Sequence, residues 1–208
     1  MQQYRGLDAS NLDCQRGGRT LFRGLSFELR AGELLRIAGA NGSGKTSLLR
    51  ILCGLLAPQA GEVRWNGAPI QRLREEYARH IVYLGHAPAV KDDLSTEENL
   101  SIACRLAGMP VPGAAIRDAL ARFGLAGAAL VKKLSQGQRR RAALARLWLS
   151  ASVPLWLLDE PFTALDTAGV AMLRGILEGH AGRGGAVVYS THQDPGMAAT
   201  RVVELVIA

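Results

Sequence analysis

The stretch Gly39-Ala40-Asn41-Gly42-Ser43-Gly44-Lys45-Thr46 decides the fold of this 208-residue chain. It matches the pattern G-x-x-x-x-G-K-[ST], and its surroundings agree with a strand at Leu34–Ala38 and a helix over residues 46–54. A strand, a glycine-rich loop and a helix form a phosphate cradle, because backbone N–H groups turn inward and the positive helix end attracts phosphate. The alternative is a glycine-rich turn before an ordinary helix.

The residue types in this stretch suit a nucleotide bound with Mg²⁺. The glycines permit the turn, Lys45 can reach the β- and γ-phosphate oxygens, and the Thr46 hydroxyl can help hold the metal ion. The pattern therefore predicts ATP and Mg²⁺ as cofactors. The predicted nucleotide-binding residues of this segment are Gly39, Ala40, Asn41, Gly42, Ser43, Gly44, Lys45, Thr46 and Ser47.

A second segment with phosphate chemistry lies far along the chain. Leu155–Leu158 is a run of bulky apolar residues that predicts a buried strand, and Asp159-Glu160 follows it directly. Open α/β proteins bind ligands at the carboxyl ends of their strands. We therefore expect Asp159 to contact Mg²⁺, through a water molecule, and Glu160 to be the general base for the attacking water. An acidic loop after a core strand is the alternative.

His192 also follows a predicted strand, Ala186–Ser190, and so should emerge at the same rim as Glu160. A hydrogen bond from His192 to the γ-phosphate would hold the phosphate and the attacking water in line. The alternative is a structural or surface histidine.

The segment Leu134-Ser135-Gln136-Gly137-Gln138 opens a predicted helix. Its free N–H groups, together with the Ser135 hydroxyl, form a second anion site. One chain cannot easily use two phosphate-binding helix ends on one nucleotide, so this segment indicates a second subunit. A capped helix without a ligand is the alternative.

The rest of the pattern predicts an α/β fold. Three alternating runs, 7–14, 21–29 and 34–38, indicate an antiparallel β layer that leads into the phosphate loop, and Asn66-Gly67 predicts a hairpin. Strands and helices then alternate, which favours a parallel sheet in one domain over residues 1–208. The predicted helices are 96–106, 114–123, 135 to about 149 and 170–177, with a last strand at 202–207 and a helical lobe at about 92–150.

Composition narrows the class of protein. The net charge of +7 comes from scattered arginines, and stacking aromatics or a groove-reading helix are not evident, so direct nucleic-acid binding is not expected. Cys14, Cys53 and Cys104 are far apart and odd in number, which argues against disulfides and thiolate metal sites and favours a reducing cytoplasm. The first residues lack an apolar signal segment, and no apolar run reaches the ~18 residues that span a bilayer.

The motifs together resemble the nucleotide-binding subunits of the ABC transporter family, over essentially the whole chain. The resemblance implies a P-loop ABC-type nucleotide-binding domain and a head-to-tail homodimer that sandwiches two ATP molecules. In that dimer Ser135 and Gly137 of one subunit meet the γ-phosphate bound by Lys45 of the other. The resemblance rests on Lys45, residues 134–138, Asp159-Glu160, Ala164-Leu165-Asp166 and His192, and it makes Gln136, Gln138 and Asp166 nucleotide-site residues as well.

Shorter stretches are similar to the ATP-binding subunits of the haem exporter system of cytochrome c biogenesis. They are Tyr83-Leu84-Gly85-His86, residues 145–150, Pro154-Leu155-Trp156, residues 158–166 and Thr191-His192-Gln193. This similarity implies a permease of the CcmB type and further Ccm membrane proteins as partners. It also implies a peripheral position on the cytoplasmic face of the bacterial inner membrane, with membrane contact through those partners. The cycle would move haem or release a haem-loaded chaperone, and both remain open.

Three positions depart from the family pattern. His86 stands where most ABC ATPases have a glutamine that touches Mg²⁺ and couples to the membrane subunit, so His86 is a candidate catalytic residue. A surface histidine in a loop is the alternative. Arg16 stands near the place of the usual adenine-stacking aromatic and offers a cation–π contact instead. Gln136 replaces a usual glycine, while Ser135 and Gly137 are kept.

Two other classes of protein compete with a transporter subunit. The first is a soluble ABC ATPase of translation or DNA repair, a class that typically carries two fused ATPase units or long coiled-coil insertions, which this sequence lacks. The second is a binding module that does not hydrolyse ATP. The presence of both Glu160 and His192 weakens that interpretation.

Overall fold

The computed structural model describes residues 6–125, 129–192, 196–197 and, as backbone only, 201–204. The strands are β1 (Leu7–Arg16), β2 (Arg19–Leu29), β3 (Leu34–Ala38), β4 (Ala60–Trp65), β5 (Ala68–Pro69), β6 (Ile81–Leu84), β7 (Leu155–Leu158), β8 (Ala186–Ser190) and β9 (Arg201–Glu204). The helices are α1 (Lys45–Leu52), α2 (Ile70–Leu73), α3 (Glu75–Ala78), α4 (Thr96–Leu106), α5 (Gly113–Arg122), α6 (Gln136–Leu149) and α7 (Thr167–Gly182), with a 3₁₀ turn at Val131–Lys133.

The predicted catalytic and phosphate-binding residues follow the strands of a parallel sheet. Its strand order is β6-β7-β8-β3-β9, and every neighbouring pair is parallel. The central strands are continuous apolar runs because both of their faces are covered, and all four residues of β7 are buried. Since the strands are parallel, their carboxyl ends share one edge. The phosphate loop, Asp159-Glu160 and Thr191-His192 therefore leave the sheet side by side, after β3, β7 and β8.

A second, antiparallel sheet has the order β2-β1-β4-β5. The predicted hairpin at Asn66-Gly67 is confirmed, because Trp65 pairs with Ala68 across it. The prediction that Leu34–Ala38 belongs to this layer is wrong: β3 lies in the parallel sheet, between β8 and β9. A five-residue run that is bounded by turns shows the same pattern in either sheet, so periodicity alone could not separate the two cases.

Helices α4, α5 and α6 pack on one another within the predicted lobe region. The sequence located these helices to within a residue, and two of them have a clear start. Ser95 caps α4 and Ser135 caps α6, each in a reciprocal capping box with the side chain three residues later. Helix α7 is longer than the predicted 170–177, since it is capped at Asp166 and runs to Gly182. The predicted last strand is observed over 201–204, and residues 205–207 lie outside the described part of the chain.

A ring stack joins α7 to the central strand β7. The imidazole of His180 lies parallel to the Trp156 indole, with ring centroids 3.7 Å apart, and both side chains are buried. A Cβ at Gly185 would overlap this imidazole, so the stack requires a glycine there. Burial lowers the pKa of His180 to about 4.

Within the described residues, no helix is both long and apolar enough to cross a membrane.

Candidate active site

A cavity of about 450 Å³ opens at the carboxyl edge of the parallel sheet. It brings together the phosphate loop, both acidic residues and two of the histidines selected from the sequence. Its walls are formed by Leu21, Asn41, Gly42, Gly44, Lys45, Thr46, Ser47, His86, Asp159, Glu160, Thr163 and His192.

The phosphate loop folds around its own lysine. Lys45 is only 7% exposed, and its Nζ donates hydrogen bonds to the carbonyls of Gly39 at 2.8 Å and Ala40 at 3.2 Å. Gly44 has φ 101°, a left-handed conformation that disfavours a side chain, and a Cβ there would lie 3.1 Å from Leu21. The glycine therefore meets both a conformational and a packing requirement at the start of α1.

Asp159 lies at the centre of a hydrogen-bond network that crosses the sheet. Its Oδ2 accepts a hydrogen bond from the Thr46 hydroxyl at 2.8 Å, and its Oδ1 accepts one from the Ser190 hydroxyl at 2.7 Å. Ser190 in turn accepts the backbone N–H of Glu160 at 2.9 Å. The two residues predicted to serve the metal ion, Thr46 and Asp159, are thus in direct contact and offer hard oxygen atoms, the ligands that Mg²⁺ prefers.

Glu160 is held between two basic groups. Its Oε2 lies 2.9 Å from Nδ1 of His192, and its Oε1 lies 3.6 Å from Nζ of Lys45. Glu160 is 8% exposed, and its φ of 48° falls in the left-handed region that non-glycine residues rarely adopt. Such strain occurs most often where a side chain must be aimed at a ligand. The arrangement can orient a carboxylate toward the cavity as an acceptor for a proton.

His86 also lines the cavity, two residues beyond the end of β6, and its side chain is exposed. Its backbone carbonyl accepts a hydrogen bond from Nη1 of Arg140 at 3.1 Å. The imidazole thus stands on the same rim as Asp159, with its main chain anchored to α6.

Residues 134–138, Arg16 and Asp166 lie outside the walls of this cavity. The hydroxyl oxygen of Ser135 accepts the N–H of Gln138 at 3.2 Å, which leaves the hydroxyl proton able to donate to a ligand. Asp166 caps α7 by accepting the N–H of Gly169 at 2.8 Å. Arg16 is exposed at the end of β1.

The segment 134–138 is held by a close backbone contact between Gly137 and Ala164. A Cβ on Gly137 would lie 2.8 Å from the carbonyl oxygen of Ala164, which is itself in a left-handed conformation with φ 62°. Only glycine fits this contact without a shift in the backbone. The start of α6 therefore packs directly on the loop that follows Glu160.

Four residues of the site were missed from the sequence. Leu21 and Thr163 are part of the cavity wall, Ser190 connects the two acidic residues, and Arg140 contacts the backbone around them. Ser190 had a signal, because it is the last residue of the strand that leads to the selected His192. Arg140 had none, since it is one of three consecutive arginines and only the fold shows that it alone of them is buried.

Comparisons with known proteins all identify ATP-binding proteins of ABC transporters. The family model described as ABC transporter matches residues 22–163. The cytochrome c biogenesis ATP-binding export protein CcmA of Aromatoleum aromaticum is 56% identical over 190 residues, which cover 90% of this chain and 89% of that protein. The protein of the same name from Nitrosomonas europaea is 50% identical over 204 residues, covering 97% and 95%.

A solved structure supports the same fold. An ABC transporter ATP-binding protein from Pyrococcus furiosus superposes with a TM-score of 0.82 at 25% identity, covering 96% of this chain and 97% of that one. These likenesses do not favour a soluble ABC ATPase of translation or DNA repair.

Proposed function

Because the chain belongs to the ABC transporter family, among its CcmA cytochrome c biogenesis ATP-binding export proteins, we propose that its cavity hydrolyses Mg²⁺-bound ATP to drive haem handling across a membrane. The observation that carries the catalytic part is the position of Glu160, with His192 at 2.9 Å and Lys45 at 3.6 Å, beside the phosphate loop.

The phosphate loop binds the nucleotide through backbone N–H groups and Lys45. The ammonium group now donates to two carbonyls of its own loop, and β- and γ-phosphate oxygens are stronger acceptors for it. Thr46 and Asp159 would hold Mg²⁺, whose positive charge neutralises phosphate charge when it is bound. The mutual contact of these two side chains supports this pairing.

Glu160 takes the proton of the attacking water. The water oxygen attacks the γ-phosphorus, the bond to the bridging oxygen breaks, and ADP departs with that oxygen. His192 holds the Glu160 carboxylate from one side and can donate to the γ-phosphate, which keeps the reacting groups in line. His86, on the same rim, takes the place of the glutamine that serves related enzymes.

A second copy of the chain completes each site. Ser135 and Gln136 are exposed and stand away from the cavity of their own chain, at the N-terminus of a helix that favours anions. In a head-to-tail homodimer the Ser135 hydroxyl and the Gly137 backbone approach the γ-phosphate held by Lys45 of the other subunit. Gln136, Gln138 and Asp166 lie at the same junction, and Arg16 is available to the adenine.

The membrane partners are a permease of the CcmB type and further Ccm proteins. The chain would bind them at the cytoplasmic face of the bacterial inner membrane, as a peripheral subunit. The energy of hydrolysis would move haem outward or release a haem-loaded chaperone. The names of the close relatives support the assignment to cytochrome c biogenesis.

The proposal is tested in a strain that lacks this gene. Plasmids carrying the wild type or Glu160→Gln are introduced, and c-type cytochromes are stained for haem. We expect holo-cytochrome c with the wild type only, while cytoplasmic haem proteins persist in every strain. Normal c-type cytochromes in the deletion strain would refute the role in haem handling. Purification from detergent-solubilised membranes tests the partners, since an integral membrane protein should co-purify and nucleic acid should not.

A further inference from the structure

Arg140 is a buried cation in the first turns of α6, with only 4% of its surface exposed. All three nitrogens of its guanidinium donate to backbone carbonyls on two separate loops. Nη2 reaches the carbonyls of Asp159 at 2.9 Å and Glu160 at 2.6 Å, Nη1 those of Gly85 at 3.2 Å and His86 at 3.1 Å, and Nε that of Pro161 at 3.4 Å.

Only an arginine can make this set of contacts. A guanidinium presents five N–H donors in a rigid planar fork, whereas the ammonium of lysine is a compact point and the amide of glutamine has two donors. Burial lowers the pKa of Arg140, and the Asp159 and Glu160 carboxylates oppose that shift. Carbonyl oxygens and nearby carboxylates together compensate the buried charge, so the side chain has a defined place.

The carbonyl of Glu160 needs such support. Glu160 has a left-handed backbone, which costs free energy and persists only when its surroundings hold it. Arg140 donates hydrogen bonds to this carbonyl and to the carbonyl of Asp159, and it is not part of the cavity wall. The same guanidinium holds the main chain of His86 on the opposite loop.

Arg140 also ties these loops to the segment expected to meet the second nucleotide. It stands one turn after Gly137, whose backbone packs against Ala164. A displacement at the start of α6 therefore reaches the backbone of Glu160 through one rigid side chain.

We propose that Arg140 is a positioning residue for ATP hydrolysis, which aims the Glu160 carboxylate and fixes the His86 loop relative to the start of α6. This inference rests on the proposed role of Glu160 as the proton acceptor. Arg140 does not touch the nucleotide, so its loss should slow the chemical step and leave ATP affinity nearly unchanged.

The test compares three variants of the full chain with its membrane partners. Arg140→Gln removes the fork, Arg140→Lys keeps the charge, and Arg122→Gln is the control. Arg122 is exposed at the end of α5, pairs with Asp118 at 3.0 Å and is not part of the cavity wall. Turnover, KM and the dissociation constant of a fluorescent ATP analogue are measured for each, with circular dichroism as a check on folding.

We expect kcat of Arg140→Gln to fall roughly a hundredfold, since a small misplacement of a catalytic group costs about that much, while the dissociation constant stays within about threefold. Arg140→Lys should recover only a minor part of the lost turnover, and Arg122→Gln should behave as wild type. Unchanged kcat in a folded Arg140→Gln, or full recovery with lysine, would overturn the proposal. If the glutamine variant does not fold, Arg140→Lys decides by the same comparison of kcat and affinity.

A double variant separates positioning from a general loss of structure. If Arg140 acts through Glu160, adding Arg140→Gln to Glu160→Gln should leave the residual rate within about threefold of Glu160→Gln alone. A further hundredfold loss would show that Arg140 acts independently of Glu160. Normal turnover by Glu160→Gln itself would instead refute the proposed function, whatever Arg140 does.

Discussion

His192 and Glu160 are hydrogen-bonded, with 2.9 Å between Nδ1 of the imidazole and Oε2 of the carboxylate, although they follow different strands of the parallel sheet. The second carboxylate oxygen faces Lys45 at 3.6 Å. The candidate base is thus oriented from two sides before any nucleotide arrives, and this preorganisation can be tested group by group.

Lys45→Ala should abolish hydrolysis and weaken ATP binding, because it removes the charge that neutralises the β- and γ-phosphates. Phosphate release by the purified complex measures the first effect, and binding of a fluorescent ATP analogue measures the second. Lys132→Ala, at an exposed lysine that is not part of the cavity wall, is the control and should behave as wild type. Near-normal turnover of Lys45→Ala would mean that the phosphate loop is wrongly assigned.

Glu160→Gln keeps the shape of the side chain but cannot accept a proton. The variant should bind ATP, turn over very slowly and accumulate a closed dimer. Size-exclusion chromatography with and without ATP reports the dimer. A variant that stays monomeric with ATP and hydrolyses it at the normal rate would exclude Glu160 as the base.

His86→Gln should retain substantial turnover, because glutamine can make the contact that it makes at this position in related enzymes, whereas His86→Ala should lose most of the turnover. His80→Gln is the matched control, because His80 stacks near Trp65 and is absent from the cavity wall. Equal turnover of the wild type and His86→Ala, measured with the membrane partner, would point to a surface histidine.

Gly137→Ala should impair ATP-driven dimerisation and hydrolysis while ATP binding by the single chain survives. The added Cβ would lie 2.8 Å from the Ala164 carbonyl, so the start of α6 must shift. Gly175→Ala, within α7, is the control, since a Cβ there meets nothing within 4 Å and helix propensity should favour it. If both variants dimerise and hydrolyse normally, the close contact at Gly137 has no role in the cycle.

His180 should make the folded state sensitive to acid. Its pKa is about 4 in the folded chain, against ~6.5 for an exposed histidine, so between these values the unfolded chain binds a proton that the folded chain excludes. Above pH 6.5 this group gives no pH dependence. From pH 6.5 down to 4 it lowers the free energy of unfolding by an amount that reaches about 3 kcal/mol.

The check is urea unfolding at pH 7 and pH 5 for the wild type and His180→Phe, which keeps a flat ring against Trp156. The loss of stability between the two pH values should be smaller in the variant. An equal loss in both proteins would show that other groups cause it.

The sequence was informative wherever local chemistry decided the structure. Capping residues located α4 and α6, and the run at Leu155–Leu158 located the strand before the two carboxylates. It failed for β3, where only tertiary context decides which sheet a short strand joins. It also failed for Arg140, because its contacts link residues 19 to 55 positions away.

The parallel sheet has a consequence for how such a chain can change over time. The loops bearing His86, Glu160, His192 and the phosphate cradle follow β6, β7, β8 and β3, which are consecutive neighbours in the sheet although β3 precedes the other three along the chain. Their spacing is set by the distance of about 4.8 Å between hydrogen-bonded strands and not by the length of the connections. The connecting segments away from the start of α6, α4 and α5 among them, can therefore lengthen, shorten or acquire a new surface for a different membrane partner without moving the reacting groups apart. Substitutions that change which membrane partner is bound can therefore be selected without loss of ATP hydrolysis.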